Sequence, residues 1–301
     1  MRLPALFSVP GDALAGTAAT GASPNTRTLL AIASSLCLYE AGMALNDWAD
    51  RDIDAVERPH RPLPSGRIRP ATALTAAGAL TGAGLALAAW AGRPALAVAA
   101  PLAATVWAYD LGLKHTSAGP VAMGTARGLD LLLGAAATTG STRPALPSAA
   151  LLGTHTLAVT TVSRQEAQGG SPLPPLAALA TTGLLTRLVT HRSAASARGH
   201  RQATAHTRTG PRAPWHPGQE PAALLTTALG AAYAATTARP YFHATLNPSP
   251  PLTQRAVGAG IRAMIPLQAT LAARSRDTAT ALLIAALAPL GARFARKVSV
   301  T

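Results

Sequence analysis

Asn46, Asp47, Asp50 and Asp54 fall within nine positions of one another, in the string NDWADRDID. On a helix, residues three, four and seven apart share a face. Asp47, Asp50 and Asp54 therefore align, with Asn46 beside Asp50, while Asp52 points elsewhere. Three aligned carboxylates repel one another unless a cation offsets them. Magnesium suits that role: it prefers oxygen ligands, keeps several waters and is commonly shared with substrate phosphates. A diphosphate bridged by such an ion becomes a good leaving group, because the metal neutralises the charge that develops on it. The expected metal ligands are Asn46, Asp47, Asp50 and Asp54, with Asp47 and Asp50 also in catalytic roles. Arg58, Arg61 and Arg67 follow in a loop stiffened by Pro59, Pro62 and Pro64. Guanidinium groups grip phosphate oxygens in pairs, so Arg58 and Arg61 join Asn46 as expected substrate contacts. Basic residues flanking a membrane span account for the arginines equally well.

The elements that must carry this cluster are membrane helices. The 301-residue chain is 49% hydrophobic and 13% charged, about half the charge of an ordinary soluble domain. Pro70 to Gly92, Pro144 to Ser163, Ala167 to Thr186 and Pro221 to Ala238 contain no Asp, Glu, Lys or Arg. A bilayer span needs about 20 mostly apolar residues, whereas a helix in water keeps a polar face. Hydropathy predicts spans near 5–22, 28–47, 70–90, 94–111, 118–139, 145–163, 170–187, 220–237, 253–272 and 278–295. The expected fold is an all-α polytopic transmembrane bundle, a single membrane-embedded domain over 1–301. The acidic cluster closes the second span. Intramembrane or membrane-edge acids are costly and mark function.

Net charge is +14. The arginines sit mostly between apolar runs, and no basic stripe is interleaved with aromatics, so nucleic acid is not an expected partner. The loops 48–69, 110–118 and 163–170 fall on one side if the spans alternate. They hold Arg51, Arg58, Arg61, Arg67, Arg69, Lys114 and Arg164, which makes that side cytoplasmic in a multi-pass cell-membrane protein. Residues 187–220 read as a polar, loosely held insert carrying six arginines. With ten spans that insert faces outward against the charge rule. With nine, 170–187 does not span and only Arg293, Arg296 and Lys297 are misplaced, so nine is favoured over ten. The N-terminus makes a poor secretory signal and is expected to stay as the first helix. Cys37 is the only cysteine, so an internal disulfide is excluded.

NDWADRDID, read as N-D-x-x-D-x-x-x-D, resembles the first aspartate-rich motif of the UbiA prenyltransferase superfamily. RPHRPLPSG resembles the R-x-x-R-P-x-x-x-G continuation. Tyr109-Asp-Leu-Gly-Leu-Lys114 is similar to the family's Tyr-and-Lys segment after the fourth span, and Arg127 with Gly128 and Gly134 to its fifth-span pattern. With SRQEAQGG, the whole is most similar to the EboC-type branch. The resemblance implies a helical bundle around a lipid-accessible cavity. It implies magnesium held by two aspartate-rich motifs, an isoprenyl diphosphate donor, and an acceptor that is aromatic or a polar lipid, in contact with membrane lipid. The allylic diphosphate ionises and the carbocation alkylates the acceptor.

The chain departs from that pattern after the sixth span. Where a second D-x-x-x-D belongs it has Thr160-Thr161-Val162-Ser163-Arg164-Gln165-Glu166. Glu166 is the one carboxylate there, and Arg164 is expected to replace part of the second magnesium by binding diphosphate. The alternative function is a non-catalytic binding or transport partner for a prenyl or lipid diphosphate. A secondary transporter expects duplicated halves, and the acid cluster has no duplicate. Lys114 is placed to reach phosphate. Tyr109 either stabilises a carbocation or anchors the interface. Arg127, a substrate contact by resemblance, is expected to pair with Asp130 three residues on. His155 is expected as a packed core histidine.

Overall fold

The computed structural model describes residues 7–166, 169–206 and 219–298. Among these every regular element is helical. We number the helices α1 (Val9–Ala19), α2 (Thr26–Ala49), α3 (Arg51–Glu57), α4 (Pro70–Ala91), α5 (Arg93–Leu111), α6 (Gly119–Thr139), α7 (Leu146–Ser163), α8 (Leu173–His206), α9 (Gln219–Leu246), α10 (Pro250–Arg274) and α11 (Thr278–Val298).

Local chemistry sets the ends. Asn25 caps α2: its Oδ1 accepts from the Arg27 and Thr28 amides at 2.9 and 3.2 Å, and Thr28 Oγ1 accepts from the Asn25 amide at 3.0 Å. This reciprocal arrangement satisfies donors that a helix start leaves unpaired. Pro70, Pro94 and Pro120 sit in the first turns of α4, α5 and α6, where the missing N–H costs nothing. Gly92, at φ 141°, makes the one-residue break between α4 and α5. Gly140, in the left-handed conformation, ends α6.

The long helices follow the hydropathy reading, with two extensions. α8 continues through the arginine-rich segment to His206 rather than stopping near 187. Its SAASAR run is built mostly of residues with good or neutral helix propensity, so polarity did not end the helix. α9 runs on past Pro240 to Leu246. Residues 207–218 of the expected insert lie outside the described residues.

The exposure pattern is inverted relative to a soluble protein. Leu29, Trp90, Leu173, Leu224, Leu246 and Leu282 face outward, Trp90 being 78% exposed. Asp12, Ser35, Asp130, His155 and Gln268 are buried within. α2, α4, α5, α7 with its preceding turn, and α10 are each long and apolar enough to cross a bilayer. Outward apolar surface of this kind is stable against acyl chains and not against water.

Small residues set the closest crossings, as in other membrane bundles. A Cβ on Gly16 would lie 1.9 Å from the Leu131 carbonyl oxygen, and one on Gly134 2.2 Å from that of Ala13, so α1 and α6 touch backbone to backbone. Gly124 and Gly153 do the same for α6 and α7, and Gly128 abuts Ala149. The Gly124/Gly128 pair is thus a packing device.

Candidate active site

The acidic cluster sits where α2 hands over to α3. Asp50 is the junction: its amide donates to the Asn46 carbonyl at 3.0 Å, and its own carbonyl accepts from the Asp54 amide at 2.8 Å. The chain therefore keeps helical register through a slight break, and Asp47, Asp50 and Asp54 stay on related faces. Asp52 turns away, pairing with Arg51 at 3.4 Å while its side chain is 84% exposed.

The following loop folds back over this face. Arg61 Nη1 lies 2.5 Å from Asp54 Oδ2 and 3.9 Å from Asp47 Oδ1, and Arg58 Nη1 lies 3.5 Å from Asp54 Oδ1. Asp54 is buried and held by two guanidiniums, which makes it an anchor for the arginine loop. Arg67 donates to the His60 carbonyl and the Ser65 hydroxyl, so its contacts shape the loop itself.

A second segment meets the cluster from the end of α5. Beyond Leu111, Gly112 and the turn Leu113–His115 carry Lys114 inward. Its Nζ is 2.6 Å from Asp50 Oδ1, and the Lys114 side chain is only 8% exposed. One helical turn deeper, Asn46 Nδ2 donates to Asp110 Oδ1 at 3.2 Å. Asp110 is buried, and sequence reasoning passed over it. The signal was present: an acid closing an apolar run, four residues before Lys114.

The third segment ends α7. Arg164 donates to the Thr116 carbonyl, tying α7 to the loop that carries Lys114. Glu166 is half-buried, and burial pushes its carboxyl above the ordinary value while the charge of Arg58 pulls the other way. Arg58 thus pairs with Asp54 and lies near enough to Glu166 for its charge to act there. The structure brings together Asn46, Asp47, Asp50, Asp54, Arg58, Arg61, Lys114, Arg164 and Glu166 at one end of the bundle.

Behind this polar rim lies a cavity of about 310 Å3 between α2, α5 and α6. Leu38, Met43, Val106 and Met123 line it, and Asn46, Tyr109 and Asp110 form its polar edge. Tyr109 thus sits between apolar space and charged rim.

Arg127 belongs elsewhere. The expected Arg127–Asp130 pair is replaced by a tertiary one: Arg127 Nε lies 3.0 Å from Asp12 Oδ2, and a second guanidinium nitrogen donates to the Ser8 hydroxyl. Asp130 accepts from the Ser35 hydroxyl, and Gln268 Nε2 donates to Asp12 Oδ1 at 2.6 Å. An i, i+3 partner was available, but α1 packs so closely on α6 that Asp12 supplies the nearer carboxylate. His155 is the packed histidine expected, its ring nitrogens 3.0 Å from Tyr233 Oη and the Gly260 carbonyl.

Among the described residues no three histidine, cysteine or acidic side chains are grouped as a metal cage. The donors present fit a different kind of ion. Asp47 and Asp50 are partly open, their side chains 36% and 23% exposed, and Asn46 adds an amide oxygen. One or two carboxylates supplemented by water and substrate phosphate are what Mg2+ takes.

A family model described as the UbiA prenyltransferase family matches residues 6–195. The digeranylgeranylglyceryl phosphate synthase of Methanopyrus kandleri is 34% identical over 112 residues, 37% of this chain and 40% of that protein. The bacteriochlorophyll synthase 33 kDa chain of Rhodobacter capsulatus is 37% identical over 111 residues, 35% of this chain and 36% of that one. The matched stretch thus spans about 40% of the length of the first of these relatives. A UbiA homolog from Archaeoglobus fulgidus, solved bound to GPP and Mg2+, superposes with a TM-score of 0.59 at 13% identity, over 94% of this chain and 96% of that one. The apo structure of a UbiA homolog from Aeropyrum pernix gives 0.57 at 20% identity, over 85% and 96%.

Proposed function

Because the chain belongs to the UbiA prenyltransferase family, we propose that it transfers a prenyl group from an isoprenyl diphosphate to a lipid-like or aromatic acceptor within the membrane, with Mg2+ as cofactor. One observation carries the reading. The carboxylates that end α2, the Lys114 loop and the arginine loop meet at the mouth of an apolar cavity of about 310 Å3. Such a site matches an amphipathic donor with a charged head and a hydrocarbon tail. The cavity volume is at the lower end of small-molecule sites, about 300–1,000 Å3.

In this reading Asn46, Asp47 and Asp50 hold the ion, which when bound neutralises the diphosphate and makes it a better leaving group. Lys114 and Arg58 supply further positive charge to the diphosphate oxygens, and Arg61 positions Asp47 while locking Asp54. The prenyl tail lies among Leu38, Met43, Val106 and Met123, away from water. As the allylic C–O bond breaks, the electron pair leaves with the diphosphate and the cation develops beside the Tyr109 ring, which attracts positive charge. Exclusion of water from that cavity favours the acceptor over hydrolysis. Arg164 steadies the Lys114 loop through Thr116, and Glu166 keeps Arg58 facing the site. The polar rim faces the cytoplasm, where the arginine-rich loops belong.

The test is direct. Protein in nanodiscs is supplied with radiolabelled prenyl diphosphates and a membrane lipid extract, and label is followed into lipid-soluble products. Label transfer that needs Mg2+ and disappears in Asp50→Asn supports the reading. Retention of intact donor with every chain length and acceptor supports the non-catalytic binding role instead, a reading favoured by the single carboxylate that ends α7.

A further inference from the structure

The cavity behind the rim has a floor. Along α2 the lining residue farthest from Asn46 is Leu38, and along α6 the lining ends at Ala126. Ser35 lies three residues before Leu38 and Asp130 four after Ala126, so each continues its lining face one turn deeper. There the Ser35 hydroxyl donates to Asp130 Oδ1 and ties α2 to α6. α5 closes at the same level. Leu102, four residues before Val106, is buried and packs in one apolar cluster with Leu38, Ala103 and Leu133.

This floor resists being pushed aside. Asp130 also hydrogen-bonds to Asp12, and Asp12 is held by Arg127 at 3.0 Å and by Gln268 at 2.6 Å. The Ser35–Asp130 bridge is thus one end of a buried polar network that joins α1, α2, α6 and α10. A hydrocarbon tail pressing on it would have to part buried charged partners, which costs far more than repacking an apolar wall. Gly84 of α4 lies against Leu38 from behind: a Cβ there would fall 2.9 Å from Leu38 Cγ, so that side chain has little room to retreat. α2 sets the depth. At about 1.5 Å of rise per residue, Leu38 lies about 12 Å below Asn46. Taking carbon–carbon bonds of about 1.5 Å, an isoprene unit of four chain bonds extends about 5 Å. Two units therefore fit, and a third meets the floor.

We propose that the site selects short donors, prenyl diphosphates of two or three isoprene units, and that Leu38 and the Ser35–Asp130 bridge set this limit. The assignment rests on the functional reading above and adds a chain-length class to it. Head and tail are recognised separately. The carboxylates and Lys114 at the rim meet the same diphosphate in every donor, and only the tail reaches the floor. A tail of four units cannot lie extended beneath the rim. It must fold back on itself or leave part of its length outside the cavity while its head is held.

The experiment uses the full chain in nanodiscs with Mg2+ and a series of non-hydrolysable thiolodiphosphates bearing dimethylallyl, geranyl, farnesyl and geranylgeranyl tails. Binding is read by calorimetry and corrected for partitioning into empty nanodiscs. Affinity should rise at least about tenfold from dimethylallyl to geranyl, as apolar area is buried. It should fall at least about tenfold from geranyl to geranylgeranyl, because overfilling a closed cavity is unfavourable. Leu38→Ala, which deepens the cavity, should raise geranylgeranyl relative to geranyl by at least about tenfold. Ala126→Leu, which fills the lower end, should weaken geranyl relative to dimethylallyl by a similar factor. Damage to the fold alone would lower affinity for all four tails together, so the ratios separate the two causes. Geranylgeranyl binding equal to or tighter than geranyl in the wild type would overturn the assignment, as would unchanged ratios in both variants. Should one variant fail to fold, an unchanged ratio in the other overturns it equally. If the wild type binds none of the four with Mg2+, the functional reading itself fails and the length limit falls with it.

Discussion

Lys114→Met is the most informative single change at the rim. The Lys114–Asp50 contact is 2.6 Å, with side-chain exposures of 8% and 23%. Breaking a fully buried pair by removing one partner costs about 3–5 kcal/mol, while an exposed pair is worth about 0–1 kcal/mol. This pair lies between, so removal should destabilise the ligand-free protein by about 2 kcal/mol, intermediate between those limits. The same neutralisation opposes any second cation at Asp50. Two kcal/mol corresponds to about thirtyfold in an equilibrium constant, so Mg2+ or Mn2+ alone should bind Lys114→Met up to about thirtyfold more tightly than the wild type. With diphosphate present the order should reverse, because the variant lacks a cation for the anion's oxygens. Metal titration in nanodiscs, without and then with diphosphate, measures both effects. A folded Lys114→Met that binds Mn2+ alone no better than the wild type would refute the competition between lysine and metal.

Arg61→Ala removes the nearer of the two guanidiniums on buried Asp54, leaving Arg58, and should loosen the arginine loop, lowering stability by about 2 kcal/mol, between the limits for exposed and buried pairs, in denaturant titrations, whereas Asp52→Asn should change it by less than about 0.5 kcal/mol. Gly134→Val forces a side chain into the Ala13 backbone and should leave little folded protein by size-exclusion chromatography. Burial raises the Glu166 carboxyl, so the folded chain holds that proton more firmly than the unfolded one. Its stabilising contribution is present below the ordinary glutamate value of 4.5 and fades as pH rises through the raised value. Glu166→Gln should flatten stability against pH across that window, and an unchanged slope would contradict the burial argument.

The bundle was legible because its signals are local. Charge-free runs, first-turn prolines such as Pro70 and Pro120, and the glycine break at Gly92 depend on near neighbours alone. The Asn46–Asp54 cluster was legible for the same reason, since helical spacing places its members together. What escaped depended on tertiary approach. Arg127 has a partner three residues away in Asp130, yet it pairs with Asp12 because Gly16 and Gly134 bring α1 against α6. Asp54 was expected beside the metal, but the Pro-broken loop returns Arg58 and Arg61 onto it. Asp110 was readable as a membrane-edge acid four residues from Lys114, but its facing of Asn46 needed the fold. Arg164 was expected on diphosphate, and the contact it makes is with the Thr116 carbonyl, which no spacing encodes.

In the proposed function, carboxylates at the end of α2 grip a metal-bound diphosphate whose tail enters the adjacent cavity. Binding of a non-hydrolysable prenyl thiolodiphosphate to the protein in nanodiscs, followed by calorimetry with Mg2+ and with EDTA, tests it most directly. Saturable one-to-one binding that requires Mg2+ and is lost in Asp50→Asn is expected. Equal binding in EDTA, or wild-type binding by Asp50→Asn, would contradict it.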